Sequence, residues 1–186
     1  IEQLAALRAT PGVNVFRPAD GKETAAAYLS AMTFDGPTCI VCTRQNLPTY
    51  DEDGREALKG GYVLKDCEGT PELIYIASGS EVEQAVGAYE ALTERGIKVR
   101  VVSMPCTELF DEQSAEYKES VLPLSVRARV AIEAGSTSPW YKYVGLDGAV
   151  IGLDHFGASA PAGTLFKEFG FTVENAVETG LKVLGK

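Results

Sequence analysis

The clearest pattern of apolar and polar positions lies between residues 73 and 104. A short apolar run over residues 73–77 is stopped by Gly79, and a second run over residues 99–102 follows Gly96. Short continuous apolar runs are typical of strands that are covered on both faces of a sheet. A strand, a helix and a second strand in this order predict parallel pairing with a right-handed connection, so the predicted fold class is α/β.

The stretch between the two runs is predicted to be an amphipathic helix. Ser80 and Glu83 have the spacing of a capping box, which starts the helix at Ser80, and Gly96 ends it. Apolar residues recur at steps of three and four along one stripe, and the charged residues between them are predicted to face water. The stripe contains Val82, Ala85, Val86, Tyr89 and Leu92, and the water-facing residues are Glu81, Glu90, Glu94 and Arg95.

The turn Ser78-Gly79-Ser80 is a candidate phosphate site, because a helix N-terminus presents free N–H groups. Neither glycine-rich phosphate motif is present there, G-x-G-x-x-G or G-x-x-x-x-G-K-[ST]. Glu81 and Glu83 also place negative charge where a phosphate would lie. A plain strand-to-helix turn is therefore the favoured interpretation.

The pattern also predicts a second β-α-β unit near the start of the chain. Its strands cover residues 13–16 and 38–43, and its helix covers residues 25–32 after a cap formed by Asp20 and Glu23. From residue 44 to residue 66 no periodicity persists, which is typical of an interdomain segment. Further predictions are an edge strand over residues 62–65, strands over residues 129–135 and 149–153, and a last helix over residues 172–183.

The composition excludes several classes of protein. The net charge is −9 and no basic cluster is present, which argues against a nucleic-acid partner. No apolar run approaches the roughly 20 residues of a membrane span, and no leader peptide opens the chain, so we expect a soluble protein. Residues 1–8 have the pattern of the middle of a helix without an initiating Met, which predicts a fragment of a longer polypeptide.

Four cysteines are present, at positions 39, 42, 67 and 106. Only Cys39 and Cys42 are close in sequence, and residues three apart on a strand point to opposite faces, so the two could not bind one metal ion. We expect buried, reduced thiols, since free cysteine is among the most buried residue types. Reduced thiols in turn predict a reducing compartment and a cytoplasmic location.

Few residues are candidates for chemistry, and no metal-ligand spacing or G-x-S-x-G motif is present. The only histidine, His155, lies in a loop without a partner for acid–base chemistry, so a surface histidine is the favoured interpretation. Arg44 follows a strand whose carboxyl end would face a ligand crevice, and arginine binds phosphate through a fixed fork of donors. From the residues alone, a ligand contact, a salt bridge and a solvated side chain all remain open for Arg44. The aromatic group at residues 140–145 is predicted to be a mixture of core and subunit contact.

Several blocks of sequence, in order along nearly the whole chain, resemble the transketolase family. These blocks are FRPAD (16–20), TRQNLP (43–48), GGYVLKDCEG (60–69), IASGSEV (76–82), RVVSMP (100–105), SVLP (120–123), EAG with WYKYVGLDGA (133–149) and FGASAPAGTLFKEFGFT (156–172). The resemblance implies that residues 1–45 are the end of a pyrimidine-binding domain and residues 46–70 an interdomain linker. Residues 71–186 would be a whole C-terminal domain, with a mixed but mostly parallel sheet flanked by helices.

The resemblance also implies an activity, which is the transfer of a two-carbon ketol group between ketose and aldose phosphates. The complete enzyme would be a homodimer that uses thiamine diphosphate with Mg²⁺ or Ca²⁺, and none of these is expected to bind to this portion. Arg44 looks like the arginine that holds the phosphate of the sugar substrate. No catalytic residue, cofactor contact or metal ligand carries over, so this portion would support the dimer and be inactive alone.

Two alternatives stay open beside this interpretation. The C-terminal domain could be a regulatory module that binds an effector in the crevice beyond Ala77 and Glu133. The chain could also belong to a related thiamine-dependent enzyme, such as dihydroxyacetone synthase or a 2-oxoacid dehydrogenase subunit.

Overall fold

The computed structural model describes residues 1–186 and contains two β-sheets of unequal size. The smaller sheet pairs β1 (Asn14–Phe16) with β2 (Thr38–Ile40) in parallel. The larger sheet contains β3 (Tyr62–Lys65), β4 (Leu73–Ala77), β5 (Val99–Ser103), β6 (Arg129–Ile132) and β7 (Ala149–Ile151).

The larger sheet has the strand order β3-β5-β4-β6-β7. Four of its strands are parallel to their neighbours, and β3 pairs antiparallel with β5 at one edge. This arrangement confirms the predicted mixed, mostly parallel sheet and the predicted edge strand. Every residue of β4 and β5 is buried, which explains the two continuous apolar runs in the sequence.

Eight α-helices connect and cover the strands. They are α1 (Gln3–Arg8), α2 (Gly21–Thr33), α3 (Val82–Thr93), α4 (Thr107–Asp111), α5 (Ala115–Val121), α6 (Tyr141–Val144), α7 (Ala162–Glu168) and α8 (Val173–Val183). Short 3₁₀-helices cover Gly54–Lys59, Gly79–Glu81 and Ser138–Trp140. None of the helices combines the length and the apolar character that a membrane crossing needs.

The larger sheet is covered on both faces and so forms the middle of three layers. Alternate residues of β4 point to opposite sides: Tyr75 belongs to the apolar cluster that contains Ala88 and Val177, from α3 and α8. Ile76 belongs to a separate cluster, which includes Phe110 and Trp140 from the other face. Because successive side chains of a strand point to opposite faces, the larger sheet separates two apolar cores.

The structure corrects two predictions at the start of α3. Ser80 does not form a capping box, because its hydroxyl donates to Glu81 Oε1 at 2.5 Å and a 3₁₀ turn precedes the helix. Glu81 does not face water but is fully buried. The predicted end is confirmed, since Gly96 has φ of 77° and Ile97 donates its N–H to the carbonyl of Leu92.

The other helices agree with the sequence pattern in part. Asp20 caps α2 by accepting from the N–H of Glu23 at 2.8 Å, although the helix begins at Gly21, earlier than predicted. Thr172 caps the predicted last helix in the same way. Helix α7 is not predicted by the pattern, since its seven residues include no buried side chain that would mark a periodic face.

The cysteines are free, but the prediction that they are all buried is wrong. Cys106 is buried, Cys39 and Cys67 are partly exposed, and Cys42 is exposed. The reason is that β2 ends at Ile40, before the end of its apolar run, so Cys42 lies outside the sheet.

A glycine of α8 lies against the sheet and gives a test of this packing. A Cβ atom at Gly180 would lie 2.2 Å from Tyr75 Oη and 2.8 Å from Leu73 Cδ2, whereas one at Gly163 of α7 would meet nothing within 4 Å. We expect Gly180→Ala to lower the free energy of unfolding by about 1–3 kcal/mol, because overpacking outweighs the better helix propensity of alanine. Gly163→Ala should leave it unchanged within about 1 kcal/mol. Urea denaturation measures both, and equal stabilisation by the two changes would contradict the packing argument.

Candidate functional site

The candidate site residue Arg44 lies four residues beyond the end of β2. Its side chain is exposed and makes no hydrogen bond or ion pair within the chain. The salt bridge that the sequence left open is therefore not formed, and the guanidinium group is free to contact a ligand.

The loop that carries Arg44 passes over the N-terminus of α2. A cavity of about 270 Å³ separates the two, and its wall includes Asp20, Thr43 and Gln45. On its other side, Gln45 also lines a larger cleft of about 750 Å³ against the first turns of α3 and helix α7. Polar residues of that cleft include Glu83 and Lys167. Gln45, which follows Arg44, thus lines both the cavity and the cleft, and Thr43, which precedes Arg44, lines the cavity.

The ends of this loop are fixed to one β-α unit. At the start, the N–H of Val41 donates to the carbonyl of Phe16 in β1 at 2.8 Å. At the end, the N–H of Tyr50 donates to Asp20 Oδ2 at 3.1 Å. Lys22 Nζ donates to the carbonyl of Tyr50 at 2.6 Å. Residues 42–49 therefore form a loop held at both ends and largely free between them.

A second group of charged residues lies where the two sheets meet. Arg8, at the end of α1, donates to both carboxylate oxygens of Glu133 at 2.7 and 2.8 Å. Glu133 follows β6 directly and also accepts from Ser78 Oγ at 2.6 Å and from Trp140 Nε1 at 2.9 Å. Both partners of this ion pair are almost fully buried, with side-chain exposures of 5% and 1%. The pair thus joins α1 to the carboxyl end of β6.

Arg17 makes a corresponding contact beyond the end of β4, with Glu81 of the 3₁₀ turn that follows the strand. Its guanidinium group lies 2.5 Å from Glu81 Oε2, and the same oxygen accepts from the N–H of Ala134 at 2.8 Å. The backbone of Arg17 is held as well, since its N–H donates to Pro105 and its carbonyl accepts from Gly79. We call Arg8, Arg17, Glu81 and Glu133 the ionic cluster.

The electrostatics of the ionic cluster favour its charged form. Burial opposes the ionisation of Glu133, but the guanidinium groups of Arg8 and Arg17 outweigh that effect and lower the pKa of the carboxyl to about 2. Burial likewise acts to lower the pKa of Arg17, yet Glu81 and Glu133 raise it above its ordinary value. Glu133 and Arg17 are therefore held in their charged forms although both are removed from water.

The ionic cluster fills the crevice at the carboxyl ends of β4 and β6. Such crevices are the usual ligand sites of open α/β sheets. Here the crevice beyond Ala77 and Glu133 holds the side chains of Arg8 and Arg17, which argues against an effector in that place. The turn at Gly79 is likewise closed, because a Cβ atom there would lie 2.9 Å from Arg17 Cζ.

A buried carboxylate without a cation makes a further contact between the sheets. Glu23 of α2 accepts from Tyr62 Oη at 2.9 Å, from Ser103 Oγ at 2.5 Å and from the N–H of Ala19 at 2.6 Å. Burial raises its pKa, although these three hydrogen bonds oppose the effect. Sequence reasoning assigned Glu23 only to a helix cap, since its partners lie 39 and 80 residues away.

The remaining candidates agree with their simpler interpretations. His155 is exposed and its Nδ1 lies 2.8 Å from the carbonyl of Phe156, whereas the carboxylate of neighbouring Asp154 accepts hydrogen bonds from Thr137 and none from the imidazole. In the aromatic group, Trp140 and Tyr143 are buried core residues, whereas Tyr141 is 55% exposed. No group of three or more His, Cys, Asp or Glu side chains in the chain is placed to hold a metal ion.

Two family models match the chain. The model described as the transketolase-like C-terminal domain matches residues 60–172, and the model described as the transketolase pyrimidine-binding domain matches residues 1–49. The first of these matches starts two residues before the strand β3, which pairs with β5 in the larger sheet.

Curated relatives and solved structures give the same family. Transketolase 1 of Escherichia coli is 55% identical over 99% of this chain. A transketolase from Leishmania mexicana superimposes with a TM-score of 0.93 at 43% identity, and a transketolase from Pichia stipitis in complex with sedoheptulose-7-phosphate with a TM-score of 0.92 at 45% identity. Both structures match 100% of this chain. The chain spans 28% of the Escherichia coli relative and 27% of each of the two solved chains.

The buried position of Glu81 predicts unequal effects at two neighbouring glutamates. Glu81→Gln removes the nearer of the two carboxylates that face buried Arg17 and leaves only Glu133, at 3.5 Å, so we expect the free energy of unfolding to fall by about 2–3 kcal/mol. Glu83→Gln, in the same helical turn, changes an exposed side chain and should cost less than about 0.5 kcal/mol. Urea denaturation of the two variants decides the matter, and equal small losses would show that the ion pair is dispensable.

The lowered pKa of Glu133 predicts a loss of stability in acid. Ionised Glu133 stabilises the folded chain above the unfolded-state pKa of 4.5, and this contribution disappears as the pH falls towards the folded-state pKa of about 2. We expect it to amount to about 3 kcal/mol. The measurement is the free energy of unfolding between pH 6 and pH 2. Glu133→Gln should be less stable at pH 6 and show a shallower acid slope, whereas the control Glu94→Gln, at an exposed side chain without an ion pair, should keep the parent slope.

Proposed function

The chain belongs to the transketolase family, and from this premise we propose that it is the C-terminal part of an enzyme that transfers a two-carbon ketol group from a ketose phosphate to an aldose phosphate. The match to Transketolase 1 of Escherichia coli over 99% of the chain is the observation that carries this proposal. The relative from Pichia stipitis is described in complex with sedoheptulose-7-phosphate, which is itself a ketose phosphate. We propose the same class of substrate for the complete protein.

The proposed reaction also needs a cofactor. Thiamine diphosphate with Mg²⁺ or Ca²⁺ would supply the chemistry of carbon–carbon bond cleavage. No acidic or histidine group here is placed to hold the metal, and the turn at Gly79 is closed by Arg17. We therefore propose that the cofactor and its metal bind to other parts of the longer protein.

We propose that this portion has a structural role in a homodimeric, cytoplasmic enzyme and is inactive alone. The ionic cluster supports that role, because it consists of scaffold contacts and fills the crevice where a ligand would bind. Helix α2 also presents exposed apolar side chains, with Tyr28 61%, Leu29 49% and Met32 82% exposed. Exposed apolar surface of this kind favours a contact with another part of the complete protein.

We assign the binding of the substrate phosphate to Arg44. A guanidinium group is permanently charged and presents paired donors that match the oxygens of a phosphate. Arg44 is exposed beyond the carboxyl end of β2 and has no partner within the chain to compete with a phosphate. It would hold the phosphate end of the sugar and so orient the reacting end, without taking or giving a proton.

This assignment predicts a loss that depends on the phosphate group. In the complete enzyme, Arg44→Ala should raise KM for a ketose phosphate by about tenfold to a hundredfold, because a charged hydrogen-bonding pair is lost. The rate with an unphosphorylated ketose should stay within about twofold, since that substrate never makes the contact. Steady-state kinetics with both substrates measure the difference. Arg95→Ala, which removes another exposed and unpartnered arginine, is the matched control. An equal loss with both substrates would exclude the assignment.

A further inference from the structure

The position of Arg44 is not fixed by contacts of its own. Its side chain has no partner within the chain, and the backbone of residues 42–47 makes no backbone hydrogen bond. The only internal side-chain bond of this stretch is a long one, from Thr43 Oγ1 to the carbonyl of Gln45 at 3.5 Å. The place of the guanidinium group therefore depends on how the two ends of the loop are held.

The end of the loop after Arg44 is held through both backbone polar groups of one residue, Tyr50. Asp20 Oδ2 accepts the N–H of Tyr50, and Lys22 Nζ donates to the carbonyl of the same residue. Lys22 Nζ also reaches the carbonyl of Glu52 at 3.2 Å. We call Asp20 and Lys22, with the backbone of Tyr50, the loop clamp.

Asp20 uses its two carboxylate oxygens for two different elements. Oδ1 accepts from the N–H of Glu23 and caps α2, whereas Oδ2 holds Tyr50. Only 7% of the residue is exposed, so water competes little for these bonds. Since the same residue lines the cavity beside Thr43 and Gln45, it ties the start of α2 to the loop that flanks Arg44.

We propose that Asp20 and Lys22 are positioning residues for Arg44, and that the loop clamp sets the preference for phosphorylated sugars. This inference rests on the proposed role of Arg44 in phosphate binding. With the clamp intact, most of the conformational cost of ordering the loop is met when the protein folds. When the clamp is broken, that cost falls on substrate binding, and only a substrate that uses Arg44 is affected.

Asp20 and Lys22 carry opposite charges, so variants of the two distinguish an effect on the position of Arg44 from a direct electrostatic effect on phosphate binding. Asp20→Asn removes a negative charge close to the proposed phosphate site, so Coulomb attraction alone predicts tighter binding of a phosphate. Lys22→Met removes a positive charge, so Coulomb attraction alone predicts weaker binding. The loop clamp predicts weaker binding in both variants, because each loses one of the bonds to Tyr50.

The first experiment is Asp20→Asn in the complete enzyme. An amide has a single acceptor oxygen, so it cannot serve both Glu23 and Tyr50 as the carboxylate does. We expect KM for a ketose phosphate to rise about fivefold to tenfold, with kcat and the rate on an unphosphorylated ketose within about twofold of the parent. Asp53→Asn is the matched control, since Asp53 caps the neighbouring 3₁₀ turn in the same manner and is exposed.

The second experiment is Lys22→Met, which keeps the helix cap and the apolar stem and removes only the donor. The expected rise in KM for the ketose phosphate is about threefold, because the lost bonds belong to an exposed side chain. Lys182→Met, at an exposed lysine in an ion pair of α8, is its control. This variant keeps the inference testable if Asp20→Asn prevents folding.

The outcomes distinguish this inference from the proposed function. The inference is supported if both variants weaken binding of the phosphorylated substrate only, and if Asp20→Asn adds nothing further in an Arg44→Ala background. It is overturned if Asp20→Asn lowers KM for the ketose phosphate, or if both substrates lose equally. If Arg44→Ala alone shows no phosphate-dependent loss, the proposed function fails as well. If that loss is present but both clamp variants behave as the parent, only the clamp is wrong.

Discussion

The burial of four charged side chains between the two sheets is the constraint on which the rest of the structure depends. Arg8 and Arg17 come from the N-terminal elements, and Glu81 and Glu133 from the ends of strands in the larger sheet. Such pairs add little net stability over apolar packing, but the loss of any single partner leaves an uncompensated buried charge. The two sheets are therefore held in one relative position, because any other position would separate charges that water does not reach.

This constraint also explains why the usual ligand crevice of an α/β sheet binds no small molecule in our proposal. Two carboxylates, Glu81 and Glu133, lie just beyond the carboxyl ends of β4 and β6, and they need cationic partners because they are removed from water. The chain supplies the cations itself, as Arg8 and Arg17. Trp140 closes the remaining side, where the Arg8 guanidinium group lies 5.4 Å from the centre of the indole ring. A position that serves chemistry in other sheets here serves to join two parts of one protein.

The sequence predicted the elements far better than the contacts between them. The apolar runs of β4 and β5 marked buried strands correctly, because the signal is local and depends only on which faces are covered. The helical periodicity predicts that Glu81 faces water, because it separates apolar from charged positions. It gives no sign of a buried cation that a charged side chain could contact inside the protein. The partner of Glu81, Arg17, lies 64 residues earlier, and no local pattern joins them. The position of Arg44 at a strand end does not by itself identify a ligand contact. The role in binding a sugar phosphate comes from the resemblance of residues 43–48 to the transketolase family.

The segment over residues 17–22 connects the rigid part of the molecule to the proposed phosphate site. Its first residue, Arg17, is fixed by Glu81 and by backbone bonds to Pro105 and Gly79. Its last residues, Asp20 and Lys22, hold the loop that carries Arg44. Arg17 of the ionic cluster and Asp20 of the loop clamp thus lie on the same short connection between β1 and α2, and Lys22 lies in the first turn of α2. In our proposal, this portion therefore influences substrate binding, because it fixes the connection from which the loop that carries Arg44 is held.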